Sequence, residues 1–427
     1  MKTIVENRDL NEQCAVYTHK SGLKVYVQEK PLYSSAYAIF GTRYGSIDTT
    51  FKTNKDADFI TVPAGIAHYL EHKLFESEDG DAFTRYAKTG AMANAFTSFD
   101  RTCYLFSCSS HFEESFRILL DFVQHPFFTE ETVQKEQGII GQEINMYDDS
   151  ASWRVLFNLL GALYHKHPVK IDIAGTVESI AKINAPLLYD CYNTFYNLNN
   201  MFICVAGNVQ AERVFALTDE LLKDCEPVEI IRADVNEPYE IVKNRVEISL
   251  PVAVPLFAIG YKEACERPQK TVLQRVCTEL VMKMLLGNDT PLYKDLFGSG
   301  LINENFGAEY FIGHGYASII IEGESNQPER VYEAINREIE RQRSQGLDKT
   351  AFERAKKSMY GGYVSNYNNV EDTVMSMVNA AFLQEGVFDQ YNCIKQVTYE
   401  QVCARFDEIF DVNNSALSVV WGKQEAR

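Results

Sequence analysis

Ile183-Asn184-Ala185-Pro186-Leu187-Leu188-Tyr189-Asp190-Cys191-Tyr192-Asn193-Thr194-Phe195-Tyr196-Asn197-Leu198-Asn199-Asn200 aligns without a gap with Val397-Thr398-Tyr399-Glu400-Gln401-Val402-Cys403-Ala404-Arg405-Phe406-Asp407-Glu408-Ile409-Phe410-Asp411-Val412-Asn413-Asn414, at an offset of 214 in a chain of 427 residues. Each stretch reads as a helix that ends in Asn-Asn and passes into a strand, 202–205 in the first copy and 417–420 in the second. The offset is half the chain, so the repeat marks duplication of a whole unit. Length alone also asks for two domains or more. The polar, proline-marked run from Asp224-Cys225-Glu226-Pro227 to Asn236-Glu237-Pro238 is the best linker. The expected organisation is therefore a first half over 1–225, a linker over 226–240 and a second half over 241–427.

Outward from the repeat, both halves mix strands and helices. Strands are expected at 25–28, 36–41 and 102–107, and helices at 66–75, 112–124 and 131–146. The second half repeats this with strands at 246–249, 256–261 and 317–322 and helices at 271–286 and 331–343. The order is not a strict alternation of strand and helix, so the sheets should be largely antiparallel and the class α+β.

Chemistry enters at His68-Tyr69-Leu70-Glu71-His72, an H-x-x-E-H motif inside the predicted helix 66–75. Residues four apart on a helix share a face, so His68 and His72 can present two imidazoles to one ion, with Glu71 beside them. This is the inverted zincin motif. Zinc takes imidazole and carboxylate ligands and, when catalytic, keeps one position open for water. Histidine is scarce, 8 residues in 427, which weighs against chance.

Two histidines need a third ligand. In the helix expected at 131–146, Val133, Ile139, Ile140 and Ile144 form an apolar stripe, and Glu136 and Glu143 lie seven apart, two turns along one face. A carboxylate beside a buried stripe needs a partner, and a metal ion is a good one. Glu143 is read as the third ligand. Glu136 is read as support that orients a ligand or tunes the water, and is counted with Glu71 in the catalytic set. Glu130 and Glu131 read as a solvated face, and Glu76, Glu78 and Asp79 as surface residues. In this scheme Glu71, which is not a ligand, takes the proton of the water and delivers it to the leaving amine.

At residue level the chain resembles the insulinase/pitrilysin family of zinc metallopeptidases, which includes the mitochondrial processing peptidases, and within it a bacterial subgroup. The matching stretches run in the family's order: Gly65-Ile66-Ala67-His68-Tyr69-Leu70-Glu71-His72, then Gly90-Ala91-Met92-Ala93-Asn94-Ala95-Phe96-Thr97-Ser98-Phe99-Asp100-Arg101-Thr102-Cys103-Tyr104, the Glu136 to Glu143 helix, His167-Pro168, and Gly175-Thr176-Val177-Glu178-Ser179-Ile180. Asn199-Asn200-Met201 leading into Val205-Ala206-Gly207-Asn208 completes the set. The resemblance covers most of 15–215 by motif and the rest by pattern. It implies two homologous halves, each a mostly antiparallel sheet packed with helices, closing as a clamshell on a chamber. It also implies a Zn2+ cofactor, a peptide substrate, and a substrate-binding edge strand carrying Asn94, Ala95 and Phe96. His165 and His167 resemble family positions outside the zinc shell and are read as structural.

Seven of the eight histidines precede residue 215. The helix expected at 271–286 stands where the metal helix stands in the first half but has no histidine, and Ala355 and Gly362 fall near the places of Glu136 and Glu143. The second half should therefore lack a metal. Active members of that family usually carry an Arg and a Tyr in this half that help bind substrate. Here Phe297 and Asn303 occupy those places, with Tyr310 and Lys294 as candidate substitutes. In two-subunit members one chain carries zinc and a homologue carries the Arg and Tyr. The resemblance thus implies a homodimer or a heterodimer in which this chain is the zinc-bearing subunit. The competing readings are a non-catalytic scaffold subunit and a zinc hydrolase acting in protein modification.

Composition agrees with a globular enzyme: 46% hydrophobic and 23% charged residues. A net charge of −18 argues against nucleic-acid partners. No apolar run approaches the ~20 residues that span a bilayer, and the N-terminal stretch lacks the features of a signal or transit peptide. Ten cysteines without metal spacing read as reduced packing residues, as in a cytoplasmic protein.

Overall fold

The apolar runs expected as strands pair into two sheets in the computed structural model, which describes residues 1–78, 80–264 and 270–423. Strands β1 (Lys2–Asn7), β2 (Glu12–Thr18), β3 (Lys24–Glu29), β4 (Ala36–Thr42), β5 (Met92–Thr97), β6 (Thr102–Cys108) and β7 (Met201–Gly207) form a seven-stranded sheet in the order β1-β2-β3-β7-β4-β6-β5. Strands β8 (Arg245–Leu250), β9 (Leu256–Lys262), β10 (Gly307–Gly313), β11 (Tyr316–Glu324) and β12 (Ser415–Gly422) form a five-stranded sheet in the order β8-β12-β9-β11-β10. The β3–β7 and β8–β12 pairs are parallel and the other pairs of these sheets antiparallel. The order β3-β7-β4-β6-β5 is thus repeated by β8-β12-β9-β11-β10, with the parallel pair at the same place. The duplication read from 183–200 and 397–414 is visible as topology, and the class is α+β.

The register carries the repeat to single residues. Met201 pairs with Thr42, Thr42 with Thr102 and Thr102 with Thr97. Ser415 pairs with Tyr261, Tyr261 with Ile319 and Ile319 with Tyr310. Tyr310 therefore occupies in the second sheet the place of Thr97 in the first.

The helices that matter here are α1 (Ile66–Leu74), α2 (Phe112–Gln124), α3 (Glu130–Asp149), α4 (Ala151–Leu163), α5 (Ala185–Phe195), α6 (Val272–Leu286), α7 (Pro328–Gln345), α8 (Lys349–Asn366), α9 (Val370–Leu383) and α10 (Tyr399–Glu408). Two compact units emerge, and they are not contiguous in the chain. One comprises Met1–Ile144, Asp172–Asp234 and Tyr363–Asp389; the other comprises Asn145–Ile171, Val235–Gly362 and Gln390–Arg427. The expected halves, 1–225 and 241–427, thus exchange one helix each. Helix α9, from the second half of the sequence, packs on β7 and β4 of the seven-stranded sheet, and α4, from the first half, packs on β12 and β9 of the five-stranded sheet. The reason is burial. Strands β4 and β7 are buried at every position, as strands covered on both faces must be. With α2 packing on β4 and β6, α9 supplies further cover through Val374, Met377, Val378 and Ala381, all fully buried. Each large apolar side chain so placed contributes about 1.5–3 kcal/mol. Polar contacts fix the docking: the Arg43 guanidinium donates to the Ala381 carbonyl at 2.6 Å, and Lys30 Nζ to the Tyr367 carbonyl at 3.0 Å.

The stretch expected as a linker is also structured. Ile230–Arg232 adds a short strand against Thr50–Thr53 in the first unit. In the second unit, Glu237 accepts hydrogen bonds from the backbone N–H groups of His165, Lys166 and His167 at 2.7–2.8 Å and from Lys262 Nζ at 2.7 Å. Burial raises its carboxyl pKa, but these four donors outweigh burial and hold it at about 2. A carboxylate depressed below its unfolded value stabilises the fold above pH ~4.5, and that contribution is lost as pH falls through about 2. Glu237→Gln should flatten this acid limb and, with solvent screening allowed for, cost about 2 kcal/mol at pH 7. Denaturant unfolding between pH 2 and 7 measures both; an unchanged acid limb would remove Glu237 from the stabilising set.

No disulfide joins any of the nine described cysteines, and Cys265 lies outside the described residues. Among the described residues no helix is long and apolar enough to cross a membrane.

Candidate active site

Helix α1 is placed by the contact of two glycines. Gly65 precedes it at φ 89°, and a Cβ there would lie 2.3 Å from the Ala174 carbonyl oxygen. Gly175, at φ 75°, faces back: its Cβ would lie 2.5 Å from the Ala64 carbonyl oxygen. Only residues without a side chain allow two backbones this close in the left-handed region. Ser179 Oγ locks the contact by donating to the Ala64 carbonyl at 2.8 Å, and Thr176 and Ser179 form the capping box of the short helix Val177–Ile180. The Gly175 to Ile180 motif thus works as the seat of helix α1, a role its sequence did not disclose.

The other end of α1 is registered against α3. Tyr69 Oη donates to the Val133 carbonyl, and Lys73, fully buried, donates to the Thr132 carbonyl at 3.3 Å while pairing with Glu76. Glu76 is therefore half-buried and engaged and not a plain surface residue; Glu78 is exposed, and Asp79 lies outside the described residues. On α3 the buried stripe is Val133, Glu136, Ile140 and Ile144, spaced as one helix face. Ile139, expected on that stripe, is half exposed, and Glu136 takes the core position because it has a partner there.

This register brings His68, His72 and Glu143 together. Their ligand atoms lie within 4.8 Å of one another, the one such group among the described residues. Nε2 of His68 is 3.6 Å from Glu143 Oε1, and Nε2 of His72 is 3.5 Å from Glu143 Oε2. These separations are long for hydrogen bonds. They are close to the ~3.3 Å between neighbouring ligands on a tetrahedral ion with 2.0–2.1 Å bonds. Nδ1 of His68 is buried with no hydrogen-bond partner. Burial pushes the His68 imidazole down to about 4, so it is neutral and keeps a lone pair for a cation. Two imidazoles and a carboxylate form a donor set of the zinc kind, and the residues present fit the ion.

Glu136 stands behind His72: Oε1 is 3.0 Å from His72 Nδ1. Burial lowers the His72 pKa, but this bond and the charges of Glu71 and Glu143 outweigh it, so the net shift is upward. Glu136 is held below the usual carboxylate range, chiefly by the same bond. A carboxylate on Nδ1 sets the tautomer and leaves Nε2 free to face Glu143. Glu136→Gln should weaken metal affinity 10–100-fold with the fold intact. Metal titration against a competing chelator measures this, and unchanged affinity would reduce Glu136 to a packing residue.

Glu71, on the same helix, has its partner in the sheet. Its Oε2 accepts from Thr97 Oγ1 at 2.6 Å. Burial raises its pKa, and the Thr97 bond offsets part of that rise. Thr97 lies at the end of β5, the edge strand of the sheet, which packs against α1. Thr97 stood inside the quoted motif without a role; the signal available was its i+2 spacing from Ala95, which puts both on one strand face. Of the residues expected on the edge strand, Asn94 is exposed, and Ala95 and Phe96 are half-buried. Strand alternation puts Asn94 and Phe96 on the face opposite Thr97, and Asn94 Oδ1 accepts from the Ala95 N–H at 2.9 Å.

The remaining candidates lie in the second unit. His165 is exposed. His167 is buried, with Nε2 2.9 Å from the His314 carbonyl and Nδ1 accepting from the Val169 N–H. Tyr310, the equivalent of Thr97, is committed to a buried network: it donates to Glu263 at 2.7 Å and accepts from Arg405, which also binds Thr278. Its hydroxyl is thus engaged on both sides within the second unit. Phe297 is about half exposed, Asn303 donates to Glu324 at 2.6 Å, and Lys294 is exposed.

Comparison with known proteins follows the same lines. The family model described as Insulinase (Peptidase family M16) matches residues 62–177, and that of the Peptidase M16 inactive domain matches 182–359. A Bacillus subtilis protein named "Uncharacterized zinc protease YmfH" is 39% identical over 405 residues, 93% of this chain and 94% of its own length. The crystal structure of an M16-like peptidase from Alicyclobacillus acidocaldarius superposes with a TM-score of 0.92 at 33% identity, covering 98% of this chain and 99% of that one. Pitrilysin shares the fold at a TM-score of 0.77 and 14% identity, with 100% of this chain covering 47% of pitrilysin.

Proposed function

The chain belongs to the insulinase family, peptidase family M16, and from that membership we propose that it is a zinc-dependent endopeptidase hydrolysing peptides or small unfolded polypeptides. The observation that carries the proposal is the convergence of His68, His72 and Glu143 within ligand distance of one another, with Glu71 buried beside them. His68, His72 and Glu143 would hold the ion, and Glu136 would keep His72 in the right tautomer. Bound zinc supplies Lewis acidity at the scissile carbonyl and makes the attacking water easier to deprotonate. Glu71 accepts that proton and returns it to the leaving amine. Thr97 holds the carboxylate of Glu71 at the end of the edge strand. An extended peptide adding to β5 along Asn94, Ala95 and Phe96 would be held by main-chain hydrogen bonds, which accept many sequences.

A paired state is the second element of the proposal. Phe297 and Asn303 stand where active members of the family usually carry Arg and Tyr, Tyr310 is otherwise engaged, and the chain spans about half of pitrilysin. A homologous chain that carries them would supply the missing groups.

The test is metal content and cleavage of a mixed peptide pool, with and without a homologous partner chain. One zinc per chain and chelator-sensitive cleavage are expected. Absence of both would leave the scaffold reading, and full activity of the isolated monomer would end the requirement for a partner.

A further inference from the structure

The duplication raises the question of what occupies, in the second unit, the place that the metal centre occupies in the first. Helix α6 follows β9 as α1 follows β4 in the sheet order, and α8 corresponds to α3. Matching the C-terminal ends of α1 and α6, Leu74 and Leu286, sets Met284 at the place of His72 and Lys283 at that of Glu71. Matching the starts of α3 and α8, Glu130 and Lys349, sets Ala355 at the place of Glu136 and Gly362 at that of Glu143. In the first unit the His72 and Glu136 side chains meet. In the second, Met284 and Ala355 line a cavity of about 300 Å³. A space thus lies at the small Ala355, where the first unit has the larger Glu136, and its lining is not apolar.

Its walls carry two cations, Lys283 and Arg354, with Ser358 and Asn288 as neutral donors and Asp289 as the one carboxylate. Arg354 and Asp289 are 3.3 Å apart and both half exposed, so the pair is weak and open to exchange. Lys283 has no ion pair at bonding distance among the described residues. The net charge of the lining is positive in a chain of net charge −18. The arrangement matches a group with an anionic end and an adjacent N–H: a carboxylate on Arg354 and Lys283, with the N–H donating to Asp289. The volume has ample room for a terminal residue.

We infer that this pocket binds the α-carboxylate of an amino acid or of a peptide C-terminus. Met284 and Ala355 border a small side chain, and Ser358 hydrogen-bonds the carboxylate. The site lies wholly in the second unit and requires no metal, so it stands or falls separately from the proposed peptidase activity.

Isothermal titration calorimetry on the chelator-dialysed full chain tests it, with Ala-Ala-Ala free acid, the same peptide as its C-terminal amide, and free alanine. The free acid is expected to bind at least tenfold more tightly than the amide, and the double variant Lys283→Met/Arg354→Met to lose at least tenfold. Both side chains are exposed or half exposed, and circular dichroism checks that the variant is folded. Tighter binding of the tripeptide than of alanine assigns a peptide end; equal binding assigns a free amino acid. Equal affinity for acid and amide, no binding of either, or a double variant that binds as well as the parent overturns the inference.

Discussion

Glu71→Gln should keep a full complement of zinc and lose peptide cleavage by about 10²–10⁴-fold, the range that a positioned acid–base group contributes. The carboxamide is isosteric, can still accept from Thr97 Oγ1, and leaves the three ligand side chains untouched. What it cannot do is take a proton from water at neutral pH. Glu143→Gln and His72→Ala should behave differently and lose metal and activity together, because each removes a donor from the group of three. Metal content by atomic absorption, read beside turnover on one peptide, separates the two classes. Native-rate cleavage by the Glu71→Gln protein would remove Glu71 as the base and leave the proton transfer to another group.

Gly65→Ala is expected to be the most damaging single-methyl change in the first unit. The left-handed conformation costs a residue with a Cβ about 1–2 kcal/mol by itself. Here the added carbon also meets a backbone carbonyl at 2.3 Å, and a backbone contact, unlike a flexible side chain, has little room to give. A loss of about 3 kcal/mol or more in unfolding free energy is expected, together with loss of zinc, since α1 must shift to relieve the overlap. Gly90→Ala is the control. Gly90 also has positive φ, 72°, but open space around its Cβ position. It should cost about 1–2 kcal/mol and leave metal binding alone. Equal effects of the two substitutions would show that conformational strain, and not the contact with Ala174 and Gly175, determines the cost.

The strands and helices nearest the site were legible because each obeys a local period. The helix expected at 112–124 is observed as Phe112–Gln124, and that expected at 131–146 is observed as Glu130–Asp149. His68 and His72 share a face by helical spacing alone, and the spacing of Glu136 and Glu143 pointed to one face of one helix. Ile139 shows the limit: by spacing it could join the apolar stripe, but Glu136 won the core position because His72 lay opposite to pair with it. Tyr310 shows another limit. By sequence it was a candidate for substrate binding; in the fold it closes a buried network with Glu263 and Arg405, residues 47 and 95 positions away.

By itself, then, the amino-acid order determined the duplication and the α+β class, and it put two histidines and a carboxylate in the pattern of a metal-binding group, since all of these are written in spacings of a few residues or in one long internal repeat. The tertiary structure alone decided which helix covers which sheet, with α4 and α9 trading places between the two halves. It also decided that Gly65 seats on Gly175, that Thr97 holds Glu71, that Glu136 holds His72, and that Glu237 clamps a stretch expected to be a linker. The physical reason is the same in each case. A local period states which face of an element is apolar, whereas the partner of a buried polar group or a bare backbone is chosen by burial and hydrogen bonding across tens of residues or more, where no period reaches.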